Sequence, residues 1–224
     1  MARREERSNI LRIAVEVVVC LMIAIVLVGI VQQFFLAPVA VEGRSMRPTF
    51  NEHGDRVYVQ KKFFKIKNGD IVVFYRPNHE DVTSKNPANS ITFADFFNSL
   101  PFVNKIPRLG VDENDTTGSD YTCVIKRVVG VAGDHIELKL NDERTEMVLY
   151  RNGEVVKEGP SVIMSPTMTY WDVTLEEGEL FVLGDNRNES YDSEDYGPIQ
   201  ESWLMGKVVL AKIDGEFKTA KKLK

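Results

Sequence analysis

From Val17 to Val31 no side chain is polar, and across residues 13–36 the apolar run is broken only by Glu16, Gln32 and Gln33. A helix of about 20 apolar residues crosses a bilayer core, so residues 13–36 predict one transmembrane helix. Beyond residue 36 the pattern changes to short runs rich in Val, Ile, Phe and Tyr, separated by Gly, Asn and Asp. Those runs predict strands over 38–43, 56–60, 70–75, 122–131, 135–140, 147–151, 179–183 and 207–212, several alternating with period two. Asn152-Gly153, between 148–151 and 154–156, reads as a hairpin turn. No segment reads as a long amphipathic helix, so the part after the span is mainly antiparallel β.

Two stretches read as insertions on that framework. Residues 77–120 carry Pro77, Pro87, Pro101, Pro107 and the acidic run 112–115, and predict an extended ribbon or loop. Residues 135–178 predict a small second β layer closed by Tyr170-Trp171. The expected organisation is a tail over 1–12, a transmembrane helix over 13–36 and a β domain over 37–224. Phe93, Phe96, Phe97 and Phe102 fit either a surface that dips into the outer leaflet or packing beneath the insertion.

Charge sets the topology and removes one class of partner. Arg3, Arg4, Arg7 and Arg12 precede the span, so the positive-inside rule keeps the N-terminus in the cytoplasm and sends the β domain across the membrane. A cleaved secretory signal is the competing reading, but Pro38 stands two positions before Ala40 where a small-x-small site needs a small residue. The whole chain holds 28 Lys and Arg against 33 Asp and Glu; four of those bases and three of the acids precede residue 37, leaving 24 bases against 30 acids in the β domain. That balance does not favour phosphate binding, and nucleic acid is not an expected partner. Cys20 falls within the span and Cys123 far outside it, so no disulfide is expected between them.

Three polar segments stand where a plain β domain has no need of them. In 43–49, Gly-Arg-Ser-Met-Arg-Pro-Thr, a strand continued from 38 puts Val39, Val41, Gly43 and Ser45 on one face before Pro48 stops it. Ser45 is then a candidate nucleophile, although a serine before a turn is also an ordinary turn former. In 123–134 the adjacent cations Lys126 and Arg127 must point to opposite faces of one apolar strand, so one of them loses water. A desolvated lysine is a candidate base because burial disfavours its ammonium; an edge strand with a snorkelling Lys and a paired Arg is the plainer alternative. In 184–197 the density of Asp, Asn, Ser and Tyr fits a polar network that orients another group, or a solvated acidic loop. The ligand ladder of a calcium loop is absent from it, and no metal or cofactor is expected.

Taken together and in this order, the span, residues 43–48, 69–74, 124–134 and 184–197 resemble the bacterial type I signal peptidases. The resemblance implies a mainly β, signal-peptidase-like catalytic domain behind a single-pass anchor in the bacterial cytoplasmic membrane, with the domain on the outer face. It implies a serine endopeptidase that removes signal peptides from secretory preproteins by cutting after small residues. Motif matching then puts the nucleophile at Ser45 and the general base at Lys126, with Ser190 hydrogen-bonding the lysine and Asp192 as the supporting acid. Two departures stand out: Glu194 occupies the place where many relatives have an arginine two residues after that acid, and Gly43 the place where some have an oxyanion-binding hydroxyl. Two outcomes are expected from the first departure: either Arg187 or Arg127 neutralises Asp192, with Glu194 turned to solvent, or the optimum is more alkaline than in relatives that carry the arginine. The oxyanion is expected to lean on backbone N–H groups, that of Ser45 included.

His53, His79 and His135 each stand in a turn or polar context, which leaves Lys126 as the candidate base, active only if its pKa falls toward ~7–8. Val39, Val41 and Ile125 are the expected walls of a shallow pocket for small side chains, with the substrate added as a strand beside 38–43 or 122–126. The partners expected are secretory preproteins and the lipid bilayer, and the chain is expected to act as a monomer. A self-cleaving repressor needs a DNA-binding segment where this chain has a span, and a penicillin-interacting enzyme needs Ser-x-x-Lys, which does not occur. An anchored β module for binding other proteins explains the strands but gives Lys126 no task.

Overall fold

The computed structural model describes residues 2–51, 54–61, 64–77, 121–141, 147–157 and 170–223, in two units that are described separately. The first contains helix α1, Ala2–Phe34. Its segment Asn9–Gly29 has a mean hydropathy of 2.8, long and apolar enough to cross a membrane. Apolar side chains such as Leu11, Leu21 and Leu27 are exposed along it, and Arg12 and Glu16 pair at 3.1 Å one turn apart. The helix begins ahead of the expected residue 13, because its polar first turns are also good helix formers, and it ends at Phe34, two residues short of 36.

The second unit is β. Strands β1 (Leu36–Ala40), β2 (Arg56–Gln60), β3 (Ile71–Pro77), β4 (Tyr121–Val131), β9 (Glu179–Leu183), β10 (Ile199–Gln200) and β11 (Leu204–Ile213) form one sheet in the order β1-β2-β11-β3-β4-β9-β10, with β12 (Glu216–Thr219) also paired to β11. Strands β5 (His135–Leu140), β6 (Met147–Arg151), β7 (Glu154–Val155) and β8 (Trp171–Thr174) form a second sheet in the order β7-β6-β5-β8. The registered pairs within both sheets are antiparallel. The β6–β7 hairpin turns at Asn152 (φ 56°) and Gly153 (φ 80°), the paired positive φ values that suit a two-residue turn.

The central strands are apolar on both faces because both are covered. Along β3, Ile71 and Val73 join a core with Val57, Val59, Val208 and Met46, while Val72 and Phe74 point the other way among Val128, Leu180, Val182 and Ile199. Along β9, Leu180 and Val182 belong to that second core, and Phe181 and Leu183 to a third with Ile136, Leu138 and Leu149 of the smaller sheet. Each fully buried aliphatic or aromatic side chain contributes roughly 1.5–3 kcal/mol. Asp134 ties the two sheets at their hinge, accepting from Asn68 Nδ2 (2.9 Å), Val131 N–H (3.1 Å) and Asn152 Nδ2 (2.8 Å). Partial burial pushes its pKa up, but those donors outweigh it and hold the carboxyl below its ordinary value.

The ribbon expected over 77–120 and its phenylalanines lie outside the described residues beyond Pro77, as do His53 and His79. Cys20 and Cys123 are free thiols.

Candidate active site

Strand β1 ends at Ala40, and Gly43 turns the chain with φ +85°, a conformation that favours glycine. The strand therefore does not continue to Ser45 as its alternation predicts; Ser45 opens a turn over 45–49 that contains the cis Arg47–Pro48 peptide. The buried side chains Met46 and Phe50 anchor that turn in the first core, and Phe50 N–H donates to Met46 C=O at 3.0 Å.

Residues 184–190 hold the turn from its other side. Asn186 N–H donates to Ser45 C=O (2.9 Å) and Asn186 Nδ2 to Arg44 C=O (3.2 Å). Only a glycine fits at 184: an added Cβ would come within 2.2 Å of Ser190 Oγ and 2.5 Å of Ser45 O. The approach of these two loops is what brings Ser190 to the same place as Ser45.

Lys126 lies on β4 opposite Val72 of β3, and Arg127 opposite Ile71, so the two cations face opposite sides of the sheet as strand geometry requires. Lys126 is 3% exposed; its Nζ donates to Ser190 Oγ at 2.9 Å, and Ser190 Oγ–H donates to Asp192 Oδ2 at 2.5 Å. Burial lowers the Lys126 pKa to about 8; Asp192, Asp195 and Asp185 oppose that fall and Arg76 assists it. Desolvation wins because no carboxylate reaches the amine directly: the hydroxyl of Ser190 stands between Lys126 and Asp192.

Asp192 is buried and caps the short helix α2, Ser193–Tyr196. Its Oδ2 accepts from Gly184 N–H (2.8 Å) as well as from Ser190, and its Oδ1 from Glu194 N–H (3.1 Å). Asp195 Oδ2 accepts from Asp192 N–H (2.9 Å), completing a capping box. Backbone donors thus surround the carboxylate that the sequence left without a neighbouring arginine. Trp171 Nε1 donates to Glu194 C=O (2.7 Å), which pins the backbone at the departure itself.

Arg127 is engaged elsewhere. Its Nε and Nη2 grip Asp185 Oδ1 and Oδ2 at 2.7 and 2.6 Å, and it donates to Gly69 C=O (3.2 Å) and Leu223 C=O (3.0 Å). Thr49 Oγ1 also donates to Asp185, which is fully buried. Arg127 therefore fastens the Ser45 turn, β4 and the chain end together, and is not the counterion of Asp192 expected from sequence. Arg187 Nε donates to Gly184 C=O (2.9 Å).

A cavity of about 270 Å³ is lined by Val39, Ala40, Glu42, Ser45, Val57, Val73 and residues 123–126. Ser45 and Lys126 both line it, as do Val39 and Ile125. Val41 does not line it: at 3% exposure it is buried in the first core, against which the less buried Val39 also packs. Strand β1 stands at the end of the sheet's order beside β2, and β4 pairs with β9 from Arg127 onward, so the outer edge of β1 and the 123–126 stretch of β4 flank this cleft. Sequence reasoning passed over Thr49 and Asn186 as site-building residues and Arg76 as a charge acting on Lys126. All three act through contacts more than 45 residues apart in the chain, which no local pattern signals.

The family profile described as signal peptidase, peptidase S26, matches residues 14–212. Signal peptidase I of Mycobacterium tuberculosis is 29% identical over 234 aligned residues, covering 96% of this chain and 73% of that protein. A probable signal peptidase I of Mycobacterium leprae is 30% identical over 80% of this chain and 62% of its own length. Signal peptidase IB of Staphylococcus aureus is 26% identical over 86% of both.

Proposed function

This chain belongs to the signal peptidase family, peptidase S26, and from that premise we propose that it cuts signal peptides from preproteins with Ser45 as nucleophile and Lys126 as general base. The observation that carries the reading is Lys126 itself: a lysine buried to 3% exposure beside a cleft that also holds Ser45, its amine directed to a neutral hydroxyl. With a pKa of about 8, a useful fraction is neutral near physiological pH.

In the neutral amine one N–H is donated to Ser190, and the lone pair is left to take the Ser45 proton as Oγ attacks the scissile carbonyl carbon. The C=O electrons move to oxygen, and the Ser45 N–H is the donor assigned to that oxyanion. The tetrahedral intermediate collapses with departure of the peptide amine, which takes the proton from the Lys126 ammonium. Lys126 then activates water to hydrolyse the acyl-enzyme, and Ser45 is restored. Ser190 and Asp192 orient the amine throughout.

The substrate enters as an extended strand between β1 and the 123–126 stretch of β4. Val39, Ala40 and Ile125 leave space for small side chains before the cleaved bond. Helix α1 anchors the chain in the bacterial membrane, with Arg3, Arg4, Arg7 and Arg12 on the cytoplasmic side and the β domain outside. The test is cleavage of a preprotein by full-length enzyme in detergent: Ser45→Ala, Lys126→Ala and Lys126→Arg each lose about 10³-fold or more, since a guanidinium stays protonated. Near-normal turnover by Lys126→Arg would remove Lys126 from the mechanism.

A further inference from the structure

Arg76 lies near the end of β3, opposite Thr122 of β4, and its surroundings are unusual for an arginine. Its guanidinium carbon sits 4.6 Å from the centre of the Tyr191 ring and 5.4 Å from that of Tyr196. The two rings meet edge to face at 5.3 Å, making a two-sided aromatic seat. Its Nε is buried with no hydrogen-bond partner, and among the described residues no carboxylate lies within ion-pair distance of the side chain. Tyr191 stands between Ser190 and Asp192, and Tyr196 ends α2, in the segment that receives the Lys126 amine.

We propose that Arg76 is a positioning residue for the Ser45–Lys126 site: a cation seated on Tyr191 and Tyr196 that fixes the loop holding Ser190 and keeps a positive charge beside the base. The inference rests on the assignment of Lys126 as general base. A cation–π seat suits this task better than an ion pair. A carboxylate partner would cancel the charge, whereas ring faces hold the guanidinium and leave its field intact. Arg127, three strand positions nearer the catalytic lysine's level, shows the contrast, because Asp185 neutralises it.

The charged groups acting on Lys126 are Asp192 and Asp195 from the loop and α2, Asp185 from the segment after β9, and Arg76 from β3. The three carboxylates favour the ammonium, and Arg76 opposes them. Partial burial, with the nearby Asp192, pushes Tyr196 well above the ordinary phenol value, so it remains a neutral ring through the working range. The Tyr196 ring of the seat therefore does not titrate while the base does.

The test is the pH dependence of kcat/KM for preprotein cleavage by full-length enzyme in detergent, comparing the natural chain with Arg76→Gln, Arg76→Lys and Lys126→Arg. Removing the charge in Arg76→Gln moves the ascending limb to higher pH by about half a unit, a loss of about threefold at pH 7 that closes above pH 9. Arg76→Lys retains the charge and leaves the limb within about 0.2 unit of its natural position. An equal loss at every pH, or a change in KM alone, would overturn the inference and make Arg76 a structural or substrate-contacting residue. If Arg76→Gln does not fold, Tyr191→Leu carries the same test: Tyr191 is 58% exposed, and loosening the seat lifts the limb in the same direction. An unmoved limb in that variant overturns the inference. With Lys126→Arg inactive, an unmoved limb overturns only the role of Arg76; an active Lys126→Arg overturns the base assignment and this inference together.

Discussion

Lys126 and Arg127 are neighbours on one strand, and each meets a carboxylate from the loop that follows β9, yet the two faces of β4 use the same materials for opposite ends. On one face Arg127 grips Asp185 directly through two N–H···O bonds, with Thr49, Gly69 and Leu223 as further partners. On the other, Ser190 is interposed between Lys126 and Asp192. A direct buried pair keeps both charges, and it ties three segments of chain into a fixed frame. An interposed hydroxyl conveys position without full charge, so desolvation is free to weaken the ammonium. The residue types follow from the tasks: a guanidinium does not give up its proton in a protein, and an amine does when buried.

The largest expected effect comes from breaking the frame. Asp185→Ala leaves Arg127 half-buried without its carboxylate and costs about 3–5 kcal/mol of stability, read from urea unfolding of the full chain in detergent. Its residual activity should show an ascending limb moved to lower pH, since Asp185 is one of the carboxylates that favour the Lys126 ammonium. An unchanged midpoint would mean that the ion pair is not what holds the Ser45 turn.

On the opposite face the sign reverses. Lys126 has a folded pKa near 8 against an ordinary 10.5. Between those values the unfolded chain binds the extra proton, so stability rises with pH from about 8 to about 10.5, and below 8 the buried ammonium costs on the order of 3 kcal/mol. Lys126→Met, inactive, should therefore be more stable than the natural chain at pH 7 by up to that amount and should lose the rise above pH 8. A destabilised Lys126→Met with the rise intact would place the titration elsewhere.

Ser190→Ala sharpens the contrast at smaller scale. It removes the intermediary and leaves the Lys126 amine without its acceptor, so kcat should fall about 10–100-fold while KM changes little. A fall in KM-limited binding alone would make Ser190 part of the substrate groove. The smallest effect is expected at Glu194, where backbone donors already satisfy Asp192: Glu194→Arg should move the ascending limb of the pH profile slightly downward, and a shift upward would contradict the electrostatics given for this loop.

Much of this was legible in the chain where local pattern and tertiary demand coincide. Strands 56–60, 135–140, 147–151 and 179–183 run between the residues their alternation predicts, because each buries at least two alternate residues of one face. The edge elements were less visible. β10 has two residues and owes its existence to β9, and β12 shows little burial to pattern it. The strand before Ser45 is shorter than its alternation predicts, since the pattern persists past the point where Gly43 turns the backbone. Opposite facing of Lys126 and Arg127 followed from strand geometry alone, but which carboxylate each would meet did not: Arg127 reaches 58 residues to Asp185, and Arg76 more than 100 to Tyr191. Such pairings are settled by the topology of the large sheet, which a single sequence does not display.

The central claim is that Lys126 is a neutral amine within the working pH range. It is tested most directly by NMR titration of lysine labelled at Cε in full-length Ser45→Ala protein in micelles, with Lys126→Arg identifying the signal. The account predicts one lysine titrating near pH 8, absent from the Lys126→Arg spectrum. A Lys126 signal that titrates with the other lysines near 10.4 would contradict it.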